Sequence, residues 1–385
     1  MRGCRDGGWR GAWFAAPVLA WFLAGCSPRS ASPLTQEEAE RAVAAHFDFD
    51  RYVTNEFIPK PGLPPPAPLS PPRPLRIGLQ WLLSGDAAPW VVAQKKGFFA
   101  DEGLEVTLEE GGPGRDVLAR LAVGQIDLYV GYLEEALAMA GSPTGTDLRF
   151  ICASMKGSGV GWIGLDRSIP NERRSDRRIT AQDLRGKRVG VQPGSEFMLA
   201  YLCDQAGMRL SDLTVMNEGA TPDGLMNGAL DYFEGLRSDQ PRLLERNGYH
   251  NWTFLSLADY GYITYMDVTA VTAGFYHREP RLLACYVAVL DRSIRFIAAQ
   301  PREAAEIMVA AIPHDPGTVA EMESRIRREN ALSFGDGSEP PLAMGRDRMR
   351  RLVTMLYRYH RIDLPGETDQ PPPANSAESA KPGGD

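Results

Sequence analysis

Cysteine is scarce in this chain: five residues in 385, with no CxxC spacing among them. That excludes a disulfide framework and a cysteine-rich metal cluster, which both need closely spaced thiols. Histidine is as sparse. His46, His250, His277, His314 and His360 stand far apart, without the spacing that gathers ligands on a metal ion. A clustered basic face is missing too, and the net charge is −7. No nucleic-acid partner is expected, because a duplex binder needs grouped Lys and Arg to release counterions. The short run Arg173, Arg174, Arg177 and Arg178 is broken by Asp176 and follows Pro170, so it reads as a solvated loop. The apolar stretch from Trp13 to Leu23 is shorter than the ~20 residues of a membrane-spanning helix. Gly111 to Gly114 lacks the Lys and Ser/Thr of a nucleotide phosphate loop, and Gly194-Ser195-Glu196 lacks the GxSxG elbow of a hydrolase.

What is present begins at the N-terminus. Arg2, Arg5 and Arg10 precede the short apolar stretch, and small residues follow it, which is the pattern of a secretory signal over residues 1–25. Leu23-Ala24-Gly25-Cys26 resembles the bacterial lipobox, so Cys26 is expected to become a lipidated anchor holding the protein at a membrane. Cys4 would leave with the signal. Cys152, Cys203 and Cys285 remain, expected as buried free thiols, with a single pairing left open. Within residues 26–74, Thr35 and Glu38 have capping-box spacing ahead of Ala39, Val43 and Phe47, which predicts a short helix. Prolines then dominate from Pro59 to Pro74, predicting a semi-rigid polyproline spacer rising ~3.1 Å per residue. Residues 366–385, rich in Pro, Ser, Ala and Gly, are expected to form a disordered tail.

Between these segments the chain alternates strand and helix. Leu75 to Leu79, Leu104 to Leu108 and Ile126 to Val130 read as strands, and Ala88 to Lys96 and Asp116 to Val123 as helices. Such alternation predicts βαβ units on a mostly parallel sheet. The unit occurs twice: Gly124-Gln125-Ile126-Asp127 is echoed by Gly228-Ala229-Leu230-Asp231, and a second opening strand falls at Arg188 to Val191. From Pro280 to about Ile362 the pattern is helical, with Leu283, Val287, Leu290, Ile294 and Ile297 on one buried face.

These residues resemble a known family. Ile77-Gly78-Leu79-Gln80-Trp81 and the run Ala93-Gln94-Lys95-Lys96-Gly97-Phe98-Phe99-Ala100-Asp101-Glu102-Gly103-Leu104-Glu105-Val106 are similar to the opening of the family that groups SsuA-like sulfonate binders with thiamine-pyrimidine-synthase-like proteins. The turn Gly124 to Asp127, the segment Asp183 to Val191, and Ala299-Gln300-Pro301-Arg302-Glu303-Ala304 extend the likeness over roughly residues 75 to 312. The resemblance implies an α/β periplasmic-binding-protein type 2 fold, two lobes closing as a hinged trap, in the service of an ABC importer. Lobe 1 is then expected from 75–160 plus 272–365, and lobe 2 from 167–265, with crossings near Ser158–Asp166 and Tyr262–Val271. It further implies an exported monomer on the periplasmic side of the envelope, delivering its ligand to a permease and ATPase, with no cofactor.

In open α/β sheets ligands bind beyond the carboxyl ends of the strands. That rule nominates Gln80, Trp81 and Trp90; Gly111 and Gly112; Tyr132 and Glu134; Ser195, Glu196 and Phe197; and Asn227, Phe233 and Tyr260. Aromatic faces with a few polar groups suit a flat heteroaromatic solute better than a bare anion, for which only Arg115 stands near. Within the family the look is nearest to binders of riboflavin or thiamine-pyrimidine precursors. Trp162 reads as core. Alternatives are a sulfonate- or nitrate-type anion binder, a ligand sensor for a membrane kinase, and a thiamine-pyrimidine synthase. The synthase is disfavoured because Ile126 to Ala140 contains neither the Lys nor the His that such enzymes carry after the Gly-x-Ile-Asp turn, and no cysteine cluster exists.

Overall fold

The computed structural model describes residues 33–112, 114–142, 145–219, 221–312 and 317–364. The expected signal, Cys26 and the 366–385 tail lie outside the described residues. Ten strands build two five-stranded sheets. Arg73–Leu79 (β1), Leu104–Glu109 (β2), Leu128–Gly131 (β3), Leu148–Met155 (β4) and Asp267–Thr272 (β10) form one, in the order β2-β1-β3-β10-β4. Val160–Leu165 (β5), Arg188–Val191 (β6), Thr214–Asn217 (β7), Tyr232–Leu236 (β8) and Trp252–Ser256 (β9) form the other, in the order β7-β6-β8-β5-β9. In each, the opening strand pairs in parallel with both neighbours, and one strand arriving from the other lobe runs antiparallel. The fold is therefore a two-lobed α/β architecture with one plan used twice.

The repeated Gly-x-apolar-Asp turn has a structural job in each lobe. Gly124 and Gly228 take φ of +72° and +79°, which only glycine adopts freely, and end the preceding helix. Ile126 and Leu230 are then buried. Asp127 grips the opening strand: its Oδ2 accepts from the Arg76 backbone N–H at 2.8 Å and from Arg76 Nε at 3.0 Å. Asp231 does the same to Arg188, at 2.9 and 3.1 Å.

Two connections join the lobes, Lys156–Gly159 between β4 and β5, and the stretch from Leu257 to Met266 between β9 and β10. The crossing thus turns earlier than expected: β5 already belongs to the second sheet and β10 wholly to the first. A loop near residue 340 ties the crossings together. Tyr265 hydroxyl donates to Glu339 at 3.0 Å and accepts from the Gly345 N–H at 2.7 Å, while Lys156 Nζ donates to the Pro340 carbonyl.

The helical C-terminal part packs on the first lobe. Leu283, Val287, Leu290, Ile294 and Ile297 of the helix Pro280–Ala299 are buried against Trp90, Val91 and Ile151 in one core cluster. The N-terminal segment departs from expectation. The helix Gln36–His46 does form with its Thr35–Glu38 capping box, yet it is docked, with Ala39 and Val43 buried and Leu34 N–H donating to the Arg358 carbonyl. The proline-rich stretch does not stand clear either. Leu69 N–H donates to the Glu102 carbonyl at 3.0 Å and Arg73 N–H to the Gly103 carbonyl at 2.9 Å, so its second half is laid against the body. The Leu69 and Arg73 N–H groups thus find protein acceptors, which an isolated spacer would have left to water. Cys152, Cys203 and Cys285 are free and buried, and burial pushes the Cys152 and Cys203 thiols up to about 12 and about 11. Trp162 is core, fully buried. No described helix is long and apolar enough to cross a membrane.

Candidate functional site

The carboxyl ends of β1 and β3 in one lobe, and the loop after β6 in the other, hold the candidate site. A cavity of about 330 Å³, counted to its mouth, is lined by Gln80, Trp81, Asp86, Trp90, Tyr132 and Asp267 among others. Trp81 and Tyr132 are half-buried there. The Tyr132 hydroxyl is held far above its usual pKa by burial, with the Asp267 charge adding to it. Trp90 forms the floor and is 1% exposed, its indole N–H spent on the Tyr286 hydroxyl at 2.8 Å. Gln80 Nε2 donates to Glu135 at 2.7 Å, while its Oε1 is buried without a partner.

Glu134, the second residue of the helix Leu133–Gly141, is buried beneath this rim. Thr264 donates to its carboxylate at 2.6 Å and Tyr262 at 3.2 Å, both from the crossing, so the hinge and the site share one hydrogen-bond network. Burial raises its pKa, against the lowering effect of these bonds and of Arg361.

In the second lobe the loop after β6 is organised from below. Glu234, buried in the middle of β8, accepts from the Gln192 N–H at 2.9 Å and from the Ser195 side chain. Burial pushes its carboxyl up to about 7. Phe197, half-buried, lies 5.6 Å beneath the Arg361 guanidinium, whose Nε is buried without a hydrogen-bond partner. Arg361 reaches Phe197 from beyond the C-terminal helix Arg346–Arg358 and also bears electrostatically on Glu134 and Glu135.

Other expected site residues are engaged elsewhere. Gly111 does permit a close approach, but of the protein to itself: a Cβ there would sit 2.3 Å from the Gln80 carbonyl. Gly112 N–H donates to that same carbonyl at 3.0 Å. Phe233 is fully buried with Ile163, Leu225 and Leu244, because it points into the packed face of its sheet. Asn227 is exposed and caps the turn ahead of β8 through Ala229 N–H at 2.9 Å, at the amino end of the strand, away from the cleft. Tyr260 accepts from the Ala181 N–H at 2.8 Å, and Glu196 folds back on the Gly194 N–H at 2.9 Å.

Residues that the sequence reading passed over matter as much. Asp267, Thr264, Glu329 and Arg361 come from the second crossing and the C-terminal part, where nothing local in the sequence marks them, while Asp86 and Glu135 stand in the first-lobe segments after β1 and β3. Across the gap the lobes are already bonded. Arg325 holds Asp239 at 2.8 Å, Ser238 donates to Glu329 at 2.8 Å, and Arg246 grips Glu321 at 3.0 and 2.9 Å. On the opposite flank Asp204 accepts from Arg358 at 2.7 Å and Tyr359 at 2.8 Å. Among the described residues, no cluster of His, Cys, Asp and Glu could hold a metal ion.

Residues 84–304 match the family model described as NMT1/THI5 like. A protein of Uromyces fabae named 4-amino-5-hydroxymethyl-2-methylpyrimidine phosphate synthase is 31% identical over 174 residues, 44% of this chain and 48% of that protein. The chain spans about half the length of the curated relatives it matches. Among solved structures, the periplasmic aliphatic sulphonate binding protein SsuA of Escherichia coli superposes with a TM-score of 0.58 at 15% identity, covering 76% of this chain and 89% of that one. The alkanesulfonate-binding protein SsuA of Xanthomonas axonopodis pv. citri, bound to MOPS, gives 0.55 at 16% identity, covering 77% and 98%. At these identities the likeness is one of fold.

Proposed function

This chain belongs to the NMT1/THI5-like family, and from that premise we propose that it is a solute-binding protein that traps a small planar molecule between its lobes and releases it unchanged to an ABC permease and its ATPase. The observation that carries this reading is the cavity at the carboxyl ends of β1 and β3 that Trp81 and Tyr132 line, with the buried Glu134 carboxylate beneath it bonded to the crossing by Tyr262 and Thr264. A guest between those faces would favour the closed form, and a permease would read that form. A flat heterocycle of the riboflavin or pyrimidine-precursor kind fits these aromatic faces. Export, and anchoring through Cys26, belong to the same proposal.

A second reading is favoured by the name of the Uromyces fabae relative: pyrimidine phosphate synthesis. The residues do not fit it. Ile126 to Ala140 offers no Lys to carry pyridoxal phosphate and no His to be consumed. The sulfonate ligands of the fold neighbours form a third possibility, which the acidic lining of the cleft opposes.

Tryptophan fluorescence tests the reading. Riboflavin or an aminopyrimidine should shift the emission, and Trp81→Ala should weaken binding about tenfold or more, the ~1.4 kcal/mol or greater worth of one stacked ring. A response to taurine or nitrate alone would reject the planar guest. The guest recovered after denaturation should be chemically unaltered; a converted product would turn the reading toward an enzyme. Cys26→Ser should free the protein from membranes on fractionation.

A further inference from the structure

Behind the aromatic rim lies a second cavity of about 250 Å³, lined by Gly85, Asp86, Ser154, Asp267, Glu329 and Asn330 among others. It adjoins the first, because Asp86 and Asp267 line both. Its charges are out of balance. Arg325 is the guanidinium that serves this corner, holding Asp239 at 2.8 Å, Glu329 at 2.9 Å and the Ser84 hydroxyl at 3.1 Å. Arg242 shares Asp239 at 3.2 Å, so two guanidiniums stand against the four carboxyls of Asp86, Asp239, Asp267 and Glu329, and both are spent on Asp239 and Glu329 rather than on Asp86 or Asp267. Asp86 is given a partial partner in the Ser84 hydroxyl. Asp267, 7% exposed, receives no hydrogen bond to its carboxylate from any described residue, and the charges bearing on it are those of Asp86, Glu329 and Glu134.

A second observation, independent of the carboxylate count, concerns unpartnered atoms. Glu329 is 5% exposed and its Oε2 is buried without a donor; Asn330 is 7% exposed and its Oδ1 is likewise bare. In the adjoining cavity Gln80 Oε1 is a third such atom. The amide orientations follow from their other halves, since Asn330 Nδ2 donates to the Ile294 carbonyl at 3.0 Å and Gln80 Nε2 to Glu135 at 2.7 Å. All three orphans are acceptors. Leaving buried acceptors and carboxylates unserved costs free energy that apolar residues of similar size would spare.

We infer that the guest is a cation: the site takes a protonated nitrogen base, its ammonium or amidinium group lodged against Asp267, Glu329 and Asn330, its flat part against Trp81 and Tyr132. The inference rests on the planar-solute reading and narrows it by charge. A group rich in N–H donors satisfies the orphan acceptors and restores neutrality at once. A sulfonate or nitrate, which only accepts, would meet acceptors and carboxylates.

The titration behaviour agrees. Asp267 is pushed far above the carboxylate range by burial and by its acidic neighbours, and burial lifts Glu329 to about 7 despite Arg325. Around Asp267 the titratable and charged groups are Asp86, Glu134, Glu329, Tyr129 and Tyr132, with Arg325 one residue behind, on Glu329. Without a guest Glu329, at about 7, is partly protonated at neutral pH, and a cationic guest displaces that proton. Binding therefore releases protons, and affinity climbs as pH rises from about 5 toward 8.

The test uses the full chain and three probes of one shape: benzamidine (cationic), benzamide (neutral) and benzenesulfonate (anionic), titrated by calorimetry in two buffers of different ionisation enthalpy. The expected result is benzamidine binding at least tenfold tighter than benzamide, no binding of benzenesulfonate, and proton release with benzamidine alone. Asp267→Asn should bring the benzamidine-to-benzamide ratio to within about twofold. Should that variant not fold, Glu329→Gln reads the same ratio, and the proton count needs no variant. Benzamide binding as tightly as benzamidine, or benzenesulfonate more tightly, with Trp81→Ala weakening every probe, overturns the charge inference and leaves the planar reading standing. n-Butylammonium binding as tightly as benzamidine, with Trp81→Ala silent, keeps the charge and removes the planar guest. No binding by any probe rejects both.

Discussion

Glu234 shows what a single residue contributes. It supports the loop after β6 from inside the sheet, accepting from Gln192 N–H and from Ser195, and burial lifts its carboxyl to about 7. In the unfolded chain the same group titrates near its ordinary ~4.3. Between those two values the native state holds a proton that the unfolded state has lost, so this group's contribution to stability falls as pH rises through the window and levels off above it. Glu234→Gln, which keeps an acceptor for Gln192 and Ser195 without the charge, should stabilise the protein at pH 8 by on the order of 1–3 kcal/mol and change little at pH 5. Urea midpoints at the two pH values check this; equal shifts at both would show that the charge is not the cause. Trp81 and Trp90 make the complementary lesson. Both belong to the same cavity lining, but only Trp81 stays half-exposed, whereas Trp90 has given its N–H to Tyr286 and holds the floor.

At the scale of elements, the two Gly-x-apolar-Asp turns register each opening strand. The Asp carboxylate satisfies a strand N–H and an arginine side chain together, so the strand cannot slip without losing both. Asp127→Ala should lower stability by about 1 kcal/mol, the loss of the strand amide's acceptor along with the charge-assisted bond. Asp231→Ala should lower the urea midpoint as well. Neither substitution should change the relative affinities of planar probes, because these turns lie at the amino ends of the strands, opposite the cleft. A change in probe selectivity by Asp127→Ala would show that the turn serves the site.

For the whole molecule, the lobes meet, among other contacts, through the pairs Ser238–Glu329, Asp239–Arg325 and Arg246–Glu321 around the helix Val319–Phe334, and through Asp204 on the far flank. Arg246 holds the Glu321 carboxyl down to about 2, so this rim pair stays ionised throughout the physiological range. Rim pairs of this kind are worth roughly 0.2–1 kcal/mol, so Glu321→Gln should shift the open–closed balance about 1.5- to 5-fold toward open. Small-angle scattering of the guest-free protein should give a larger radius of gyration for the variant, with the difference closing when guest is added. An unchanged radius without guest would mean that the rim pair does not govern closure.

The alternation of short apolar runs with helical periods, and the doubled turn, were enough to determine an α/β chain of two similar lobes, because strand and helix patterning is local. The Leu283-to-Ile297 stripe was legible as core for the same reason. Trp81, Tyr132, Glu134 and Phe197 followed from one topological rule, which places ligands beyond the carboxyl ends of strands. Phe233 and Asn227 were nominated by the same rule but are engaged in the core and in a turn, since the rule does not say which face of a strand is packed or at which end a turn falls. Asp86, Asp267 and Glu329 come together from positions up to 243 residues apart (329 minus 86). Their meeting is a property of chain crossing and helix docking, and so is the acidity of the cleft: it is the tertiary structure that buries these carboxyls side by side.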